Sequence, residues 1–287
     1  MNVNLAEVRR IVKRALEEDI GSGDITSSLT IPPASVSRAQ IVAKDEGVIA
    51  GLQVAATVFA AVVEADTAKK GTKIHFVPKV EDGFRAHRGD VVAELTGSTA
   101  AILAGERTAL NFLQRMSGIA TKTARLVGLV KHTGAKIVDT RKTAPGLRIL
   151  DKYAVRVGGG SNHRFGLYDA VLIKDNHIRA TGGIKEAVEA AKSGAPQGMN
   201  IEVEAASIEQ VKQALEAGAD TILLDNMSPA TLKKAVGLCR GRALTEASGG
   251  VSEKNIVKIA ETGVHMISVG ALTHSVKALD LSLEIVS

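Results

Sequence analysis

The sequence has 287 residues, 45% of them hydrophobic, yet only five Phe, two Tyr and no Trp, so its core is expected to be aliphatic. The same scarcity argues against a single-stranded nucleic-acid platform, which depends on aromatic stacking, and 36 Lys and Arg against 31 Asp and Glu leave a net charge of only +5. One cysteine, Cys239, excludes an intramolecular disulfide or a Cys-rich zinc site and is expected as a buried structural thiol.

The amino-terminal stretch MNVNLAEVRRIVKRALEEDI spaces Leu5, Val8, Val12, Ala15 and Leu16 at helical intervals with charges between them. That pattern predicts a helix and not the apolar segment of a signal peptide. A break at EDIGSGDITS follows. Short β-prone runs at 40–43, 48–50, 73–77 and 91–95, set apart by Gly and Pro, and a small-residue helix at 52–65 predict an α+β domain with its sheet covered on one face. The most apolar stretch, 52–63, is interrupted by Gln53 and falls short of the roughly 18 residues a membrane span needs. The chain therefore reads as cytoplasmic, with neither membrane nor nucleic acid as a partner.

From 100 to 131 the pattern is helical, with Leu103, Leu110 and Leu113 on one stripe. Beyond it the aliphatic runs KIVDTRK, AVLIKDN, IEVEA, TILLDN, ALTEASGG and MISVGA recur, with polar ends near positions 141, 175, 204, 225, 247 and 269. The later runs lie about 21 or 22 residues apart, the length of a strand, a loop, a helix and a return. Helices are expected between them at 208–217, 229–238 and 252–261. Polar groups at the carboxyl end of every strand predict a TIM-like α/β barrel, because its loops converge on one face, whereas a doubly wound sheet gathers ligands at one switch point. The span 136–271 has room for about six or seven such units, fewer than the eight of a closed barrel, so an open barrel is expected.

The chemistry concentrates in residues 139–178, DTRKTAPGLRILDKYAVRVGGGSNHRFGLYDAVLIKDNHI. Arg141 and Lys142 follow one aliphatic run, His163 and Arg164 follow three glycines, and Lys174 ends AVLIK. Brought to one barrel mouth, these groups suit a ligand with several carboxylates or phosphates, since Arg forks bind carboxylates bidentately and Lys acts as a mobile point charge. A solvated basic face is the alternative, but these residues adjoin Gly-rich turns and strand ends, not amphipathic helix faces. Residues 139–177 hold seven Lys or Arg against four Asp or Glu, +3 of the net +5, so the block is expected to be a ligand pocket, braced by Tyr153, Phe165 and Tyr168.

Glu202 and Glu204 lie two apart on one strand and project to the same side, and Asp225 ends the next. Glu204 and Asp225 are expected at one height, a spacing suited to Mg²⁺, with pairing to neighbouring Lys and Arg as the alternative. Ser248, Gly249 and Gly250 in EASGG, and Gly270 in SVGA, would expose backbone N–H groups where barrels bind phosphate. Neither GxxxxGK[ST] nor GxGxxG occurs, which removes the usual support for ATP or NAD chemistry.

Taken in order, EDIGSGDITS, GERTALNFLQRMSGIAT, the 139–178 block, IEVEA, ILLDNMSP, EASGGV and ISVGALTHS cover about residues 17–275. They resemble the quinolinate phosphoribosyltransferase family, type II phosphoribosyltransferases also called nicotinate-nucleotide pyrophosphorylases (carboxylating). His265 is a small departure, where the family more often has Asp. The resemblance implies an amino-terminal α/β sandwich domain over 1–112, an open α/β barrel over 113–273 and a closing segment, 274–287, that packs back on the first domain. It implies conversion of quinolinate and 5-phosphoribosyl 1-diphosphate to nicotinate mononucleotide, diphosphate and CO₂. Arg107, Arg141, His163, Arg164 and Lys174 would hold quinolinate, and Lys142 would meet the phosphoribosyl donor. Glu204 and Asp225 would arrange Mg²⁺, and Ser248, Gly249, Gly250 and Gly270 would take the 5′-phosphate. A homodimer is implied too, in which Arg107 reaches the neighbouring site; further association of dimers is left open. By its residues alone Arg107 reads as an ordinary helix-surface arginine beside Glu106.

Overall fold

A computed structural model describes residues 4–65 and 73–286. Residues 1–3 of the amino-terminal stretch and 287 of the expected closing segment lie outside the described residues. The chain divides into two compact units. The first comprises 1–124, 144–159 and 275–287, and the second 125–143 and 160–274. The expected boundary at 112/113 falls inside a long helix.

α1 (Leu5–Ile20) starts on Asn4, whose side chain accepts from the N–H groups of Ala6 and Glu7, and it buries Val8, Val12 and Leu16 along one stripe. α2 (Ile25–Thr30) starts on Asp24 within the predicted break. β1 (Val36–Ala43), β2 (Gly47–Val48), α3 (Leu52–Ala65), β3 (Ile74–Pro78), β4 (Arg85–Ala86), β5 (Val91–Ser98) and α4 (Thr99–Val130) follow. Phe59 of α3 stacks on Phe76 of β3 with ring centroids 5.9 Å apart. Asp82 caps α3 by accepting from the N–H groups of Gly51 and Leu52.

Next come β6 (Lys136–Val138), α5 (Arg148–Val157), β7 (Val171–Ile173), α6 (Asp175–Thr181), α7 (Ile184–Gly194), β8 (Ile201–Ala205), α8 (Ile208–Ala217) and β9 (Thr221–Asp225). The chain continues through α9 (Pro229–Cys239), β10 (Leu244–Ser248), α10 (Ile256–Ala260), β11 (Met266–Ser268), α11 (Ala271–His274) and β12 (Leu281–Val286). Cys239 is buried on α9. α10 is shorter than expected, because Asn255 accepts from the N–H of Ser252 and holds 252–255 in a turn. Among the described residues no helix is long and apolar enough to cross a membrane.

The first unit's main sheet is antiparallel in the order β12-β1-β5-β3, so β12, far along the chain, lies beside β1. The segment leading to β12 is clamped on α4: Leu279 N–H donates to the Gln114 carbonyl, and the Gln114 side chain donates to the Leu281 carbonyl. Gly118, within RMSGIAT, leaves the necessary room, since a Cβ there would stand 2.1 Å from the Lys277 carbonyl oxygen. Gly118→Ala should therefore cost about 2 kcal/mol through backbone displacement. Gly128→Ala, on the same helix with nothing within 4 Å, should instead gain about 0.5–1 kcal/mol from helix propensity. Denaturant melts of both variants check this pair.

α5 belongs to the first unit. Its Asp151 is fully buried and takes a bidentate bond from Arg115 at 2.9 and 2.8 Å. Tyr153 donates to Asp82 at 2.7 Å, and burial pushes its hydroxyl pKa up. Tyr153 is thus a support for the first unit, while Phe165 and Tyr168 are 37% and 77% exposed. Arg148, Lys152 and Arg156 also lie on α5, so the basic block splits between the two units.

The second unit's sheet is wholly parallel in the order β6-β11-β10-β9-β8-β7. Consecutive strands are neighbours from β7 to β11, and β11 returns to β6, which is the winding of an α/β barrel left open between β6 and β7. Segment 160–163 runs along β6, where Ser161 pairs with Val138. Strand register gives the sheet two faces. Ala205, Leu224, Ala247, Ile267 and Ile137 align on one, all buried. The other carries Glu202 and Glu204, Asp225, Glu246, Ser248 and Ser268.

Candidate active site

The second unit brings together Arg141, Lys142, His163, Arg164, Lys174, Glu204, Asp225, Ser248, Gly249, Gly250 and Gly270, at or just beyond the carboxyl ends of its strands. Arg107 is not among them: it is exposed on α4 in the first unit.

Arg141 and Lys142 lie in the turn after β6. Thr140 accepts from the Lys142 N–H at 3.0 Å, and Thr273 donates to the Lys142 carbonyl at 2.8 Å. A Cβ at Gly270 would approach the Lys142 Cδ to 3.1 Å and the His274 ring to 3.2 Å, so glycine there keeps the Lys142 side chain in place. Asp139, fully buried, accepts from the His163 N–H at 2.9 Å and from the Asn162 side chain, which fixes the start of the next ligand segment against β6.

Arg164 lies in a turn closed by Asp169, which accepts from the N–H groups of Phe165 and Gly166. Its guanidinium donates to the Ala170 carbonyl at 3.1 Å. Burial lowers its pKa, and the nearby Arg141 charge lowers it further. Two guanidinium groups thus stand close enough to repel, a repulsion that an anionic ligand would relieve. Lys174 ends β7 with its Nζ 3.7 Å from Glu204 Oε2.

Strand register sets Glu204 opposite Leu223, so Asp225 lies two residues farther along its own strand. The two carboxylates still sense each other: burial raises the Glu204 pKa first, Lys174 opposes it, and Asp225 adds to the rise. Asn226, which sequence reasoning passed over, accepts a left-handed backbone (φ 52°), donates from its side chain to Asp225 at 2.7 Å and packs where a Gly249 Cβ would stand. Its signal was the asparagine directly after a strand-ending aspartate. Gly249 and Gly250 take φ of 93° and 59°, and Asn255 donates to the Gly250 carbonyl at 2.9 Å, holding the turn that Ser248 opens.

Below the mouth lies an acidic floor. Glu202 and Glu246 are 6% and 1% exposed, and His163 Nε2 lies 2.9 Å from Glu202 Oε2 and 3.4 Å from Glu246 Oε2. Burial and the Glu202 charge push the Glu246 carboxyl up to about 7. Two sets of groups could be asked to hold a metal. Glu204 and Asp225 fit Mg²⁺, because both are hard oxygen donors on the partly open rim, where water and phosphate can complete the shell. The ligand atoms of His163, Glu202 and Glu246 lie within 4.8 Å of one another, but their imidazole and enclosed setting do not suit Mg²⁺.

Comparison with known proteins agrees with this arrangement. Residues 24–117 match the profile of the quinolinate phosphoribosyl transferase N-terminal domain, and 119–284 that of its C-terminal domain. The chain is 45% identical over 283 residues to a probable nicotinate-nucleotide pyrophosphorylase [carboxylating] of Bacillus subtilis, covering 99% of this chain and 95% of that protein. It is 44% identical over 281 residues to the nicotinate-nucleotide pyrophosphorylase [carboxylating] of Mycobacterium leprae, covering 96% of each. The solved nicotinate-nucleotide pyrophosphorylase of Francisella tularensis superposes with a TM-score of 0.92 at 40% identity, over 99% of this chain and 98% of that one. An open parallel barrel with a cationic mouth, joined in sequence to an antiparallel sheet unit and matched along nearly its whole length, places the chain in the quinolinate phosphoribosyltransferase family.

Proposed function

We propose that the chain converts quinolinate and 5-phosphoribosyl 1-diphosphate into nicotinate mononucleotide, diphosphate and CO₂, a step of NAD synthesis. The observation that carries this reading is the placing of Arg141, Arg164 and Lys174 together at the carboxyl-end rim of the second unit, in a chain matched along nearly its whole length by nicotinate-nucleotide pyrophosphorylases. Quinolinate has two adjacent carboxylates, and converging guanidinium forks favour a planar dicarboxylate over a monoacid. The chain acts in the cytoplasm as a homodimer, Arg107 of a second copy completing the carboxylate clamp.

Arg141, Arg164 and Lys174 orient the pyridine nitrogen towards the anomeric carbon of the donor. The backbone N–H groups at the ends of β10 and β11, at Ser248, Gly249, Gly250 and Gly270, cradle the 5′-phosphate, and Lys142 lies against the diphosphate. The nitrogen lone pair forms the new N–C bond as the bond to diphosphate breaks and its electrons leave with that group. Glu204 and Asp225 face the positive charge that develops on the ribose. They would also hold Mg²⁺, which when bound neutralises diphosphate. As CO₂ departs, the electron pair of the C2–carboxylate bond stays on C2, stabilised as an ylide by the adjacent positive nitrogen, and a proton adds to it there. The cationic clamp retains the 3-carboxylate throughout, and no side chain has to act as a covalent nucleophile.

Purified protein supplied with quinolinate, the donor and Mg²⁺ should release CO₂ and form nicotinate mononucleotide. Turnover of nicotinate in place of quinolinate would transfer the assignment to a related base.

A further inference from the structure

We propose that Glu202 and Glu246 are positioning residues that hold His163 as a neutral strut, and that His163 acts by fixing the backbone at Arg164 and not by carrying charge to the substrate. This rests on the quinolinate reading of the site.

The argument starts from a backbone amide. The Arg164 N–H, which can only donate, lies 2.8 Å from His163 Nδ1. Nδ1 must therefore offer its lone pair, and the ring proton resides on Nε2. Nε2–H in turn points to Glu202 Oε2 at 2.9 Å, with Glu246 Oε2 next at 3.4 Å. Both ring nitrogens are thus committed, one to the floor and one to the main chain. The same constraint speaks against a metal on Nε2: a neutral metal-bound imidazole needs its proton on Nδ1, where the Arg164 N–H already points.

Burial supplies the second observation. Glu202 Oε1 and both Glu246 oxygens are enclosed without a well-formed hydrogen bond, although the Ser268 hydroxyl lies near Glu246 as a donor. Two carboxyl groups kept dry in this way are costly, and neither faces the rim where the reacting groups meet. Their shared neighbour is His163. Above it, the His163 N–H is held by Asp139 at the end of β6, so two successive amides, at 163 and 164, are pinned. The direction in which the Arg164 side chain leaves the main chain follows from these bonds.

The test uses the full-length enzyme labelled with ¹⁵N-histidine, the His163 signals being assigned by their loss in His163→Gln. His163 should appear as the Nε2–H tautomer with Nδ1 unprotonated, and adding quinolinate should leave it so. Glu202→Leu should take the acceptor from Nε2–H and raise KM for quinolinate at least about tenfold, as removal of a charged acceptor does, while KM for the donor stays within about twofold. Glu202→Gln, which keeps an acceptor oxygen, should recover most of the loss. Conversion of His163 to an imidazolium on adding quinolinate would overturn the proposal, as would an unchanged quinolinate KM in folded Glu202→Leu. If Glu202→Leu does not fold, the wild-type spectrum still decides. An enzyme that ignores quinolinate altogether would sink the functional reading, while the tautomer of the free protein would still report on the strut.

Discussion

Arg164→Ala should lose about 10²-fold in kcat/KM for quinolinate, the worth of a charge-assisted bidentate contact to a carboxylate. The loop should survive the loss of the guanidinium's bond to the Ala170 carbonyl, because Asp169 still closes the turn through two backbone N–H groups. Arg107→Ala should lose a similar factor for a different reason, since its side chain would serve the neighbouring site. Mixed and equilibrated, the two inactive proteins should regain about a quarter of wild-type activity: half of a two-fold symmetric population is hybrid, and each hybrid has one intact site of two. Mixtures that remain at the level of the single variants, with hybrids demonstrated by differential tagging, would remove Arg107 from the site.

Glu204→Gln should lower kcat by about 10²–10³-fold, the range for deleting one preorganised electrostatic partner of a transition state. Quinolinate KM should move little, since Lys174 keeps its charge when its 3.7 Å partner becomes an amide. Stability should hold or rise, because burial already disfavours the ionised carboxyl at this position. Steady-state kinetics together with a thermal melt separate these effects. A kcat within tenfold of wild type would leave Glu204 without a part in the chemistry.

Much of the barrel was legible in the sequence because its strands are short, buried on both faces and punctuated at a regular interval. α8 falls at Ile208–Ala217, as its periodicity predicts, and α3 at Leu52–Ala65. β12 was not legible as a strand, since LSLEIV has no local turn to pair it and its partner β1 is most of the chain away; only the family resemblance implied that this segment packs back on the first domain. α5 was hidden within a block that motif reading treats as one binding segment, although its Asp151 and Tyr153 serve the first unit. The rim residues could be named because charged side chains at strand ends are informative. Their register could not, because it depends on how far β9 outruns β8. Glu246, to which the sequence reading gave no role, is floor, since face alternation puts it on the same side as Ser248 and one step deeper.

The position of β12 bears on the order in which the protein is made. The second unit's strands all lie between 136 and 268, so they can pair as soon as that stretch leaves the ribosome. β1, synthesised far earlier, has β5 on one side but must wait for residues 281–286 to cover the other. Until then its hydrogen-bonding groups are open along that edge, a hazard for pairing with another nascent chain. On a polysome the later-encoded unit would thus be finished first, and a stop codon at 281 would spare every rim residue yet leave a sticky edge.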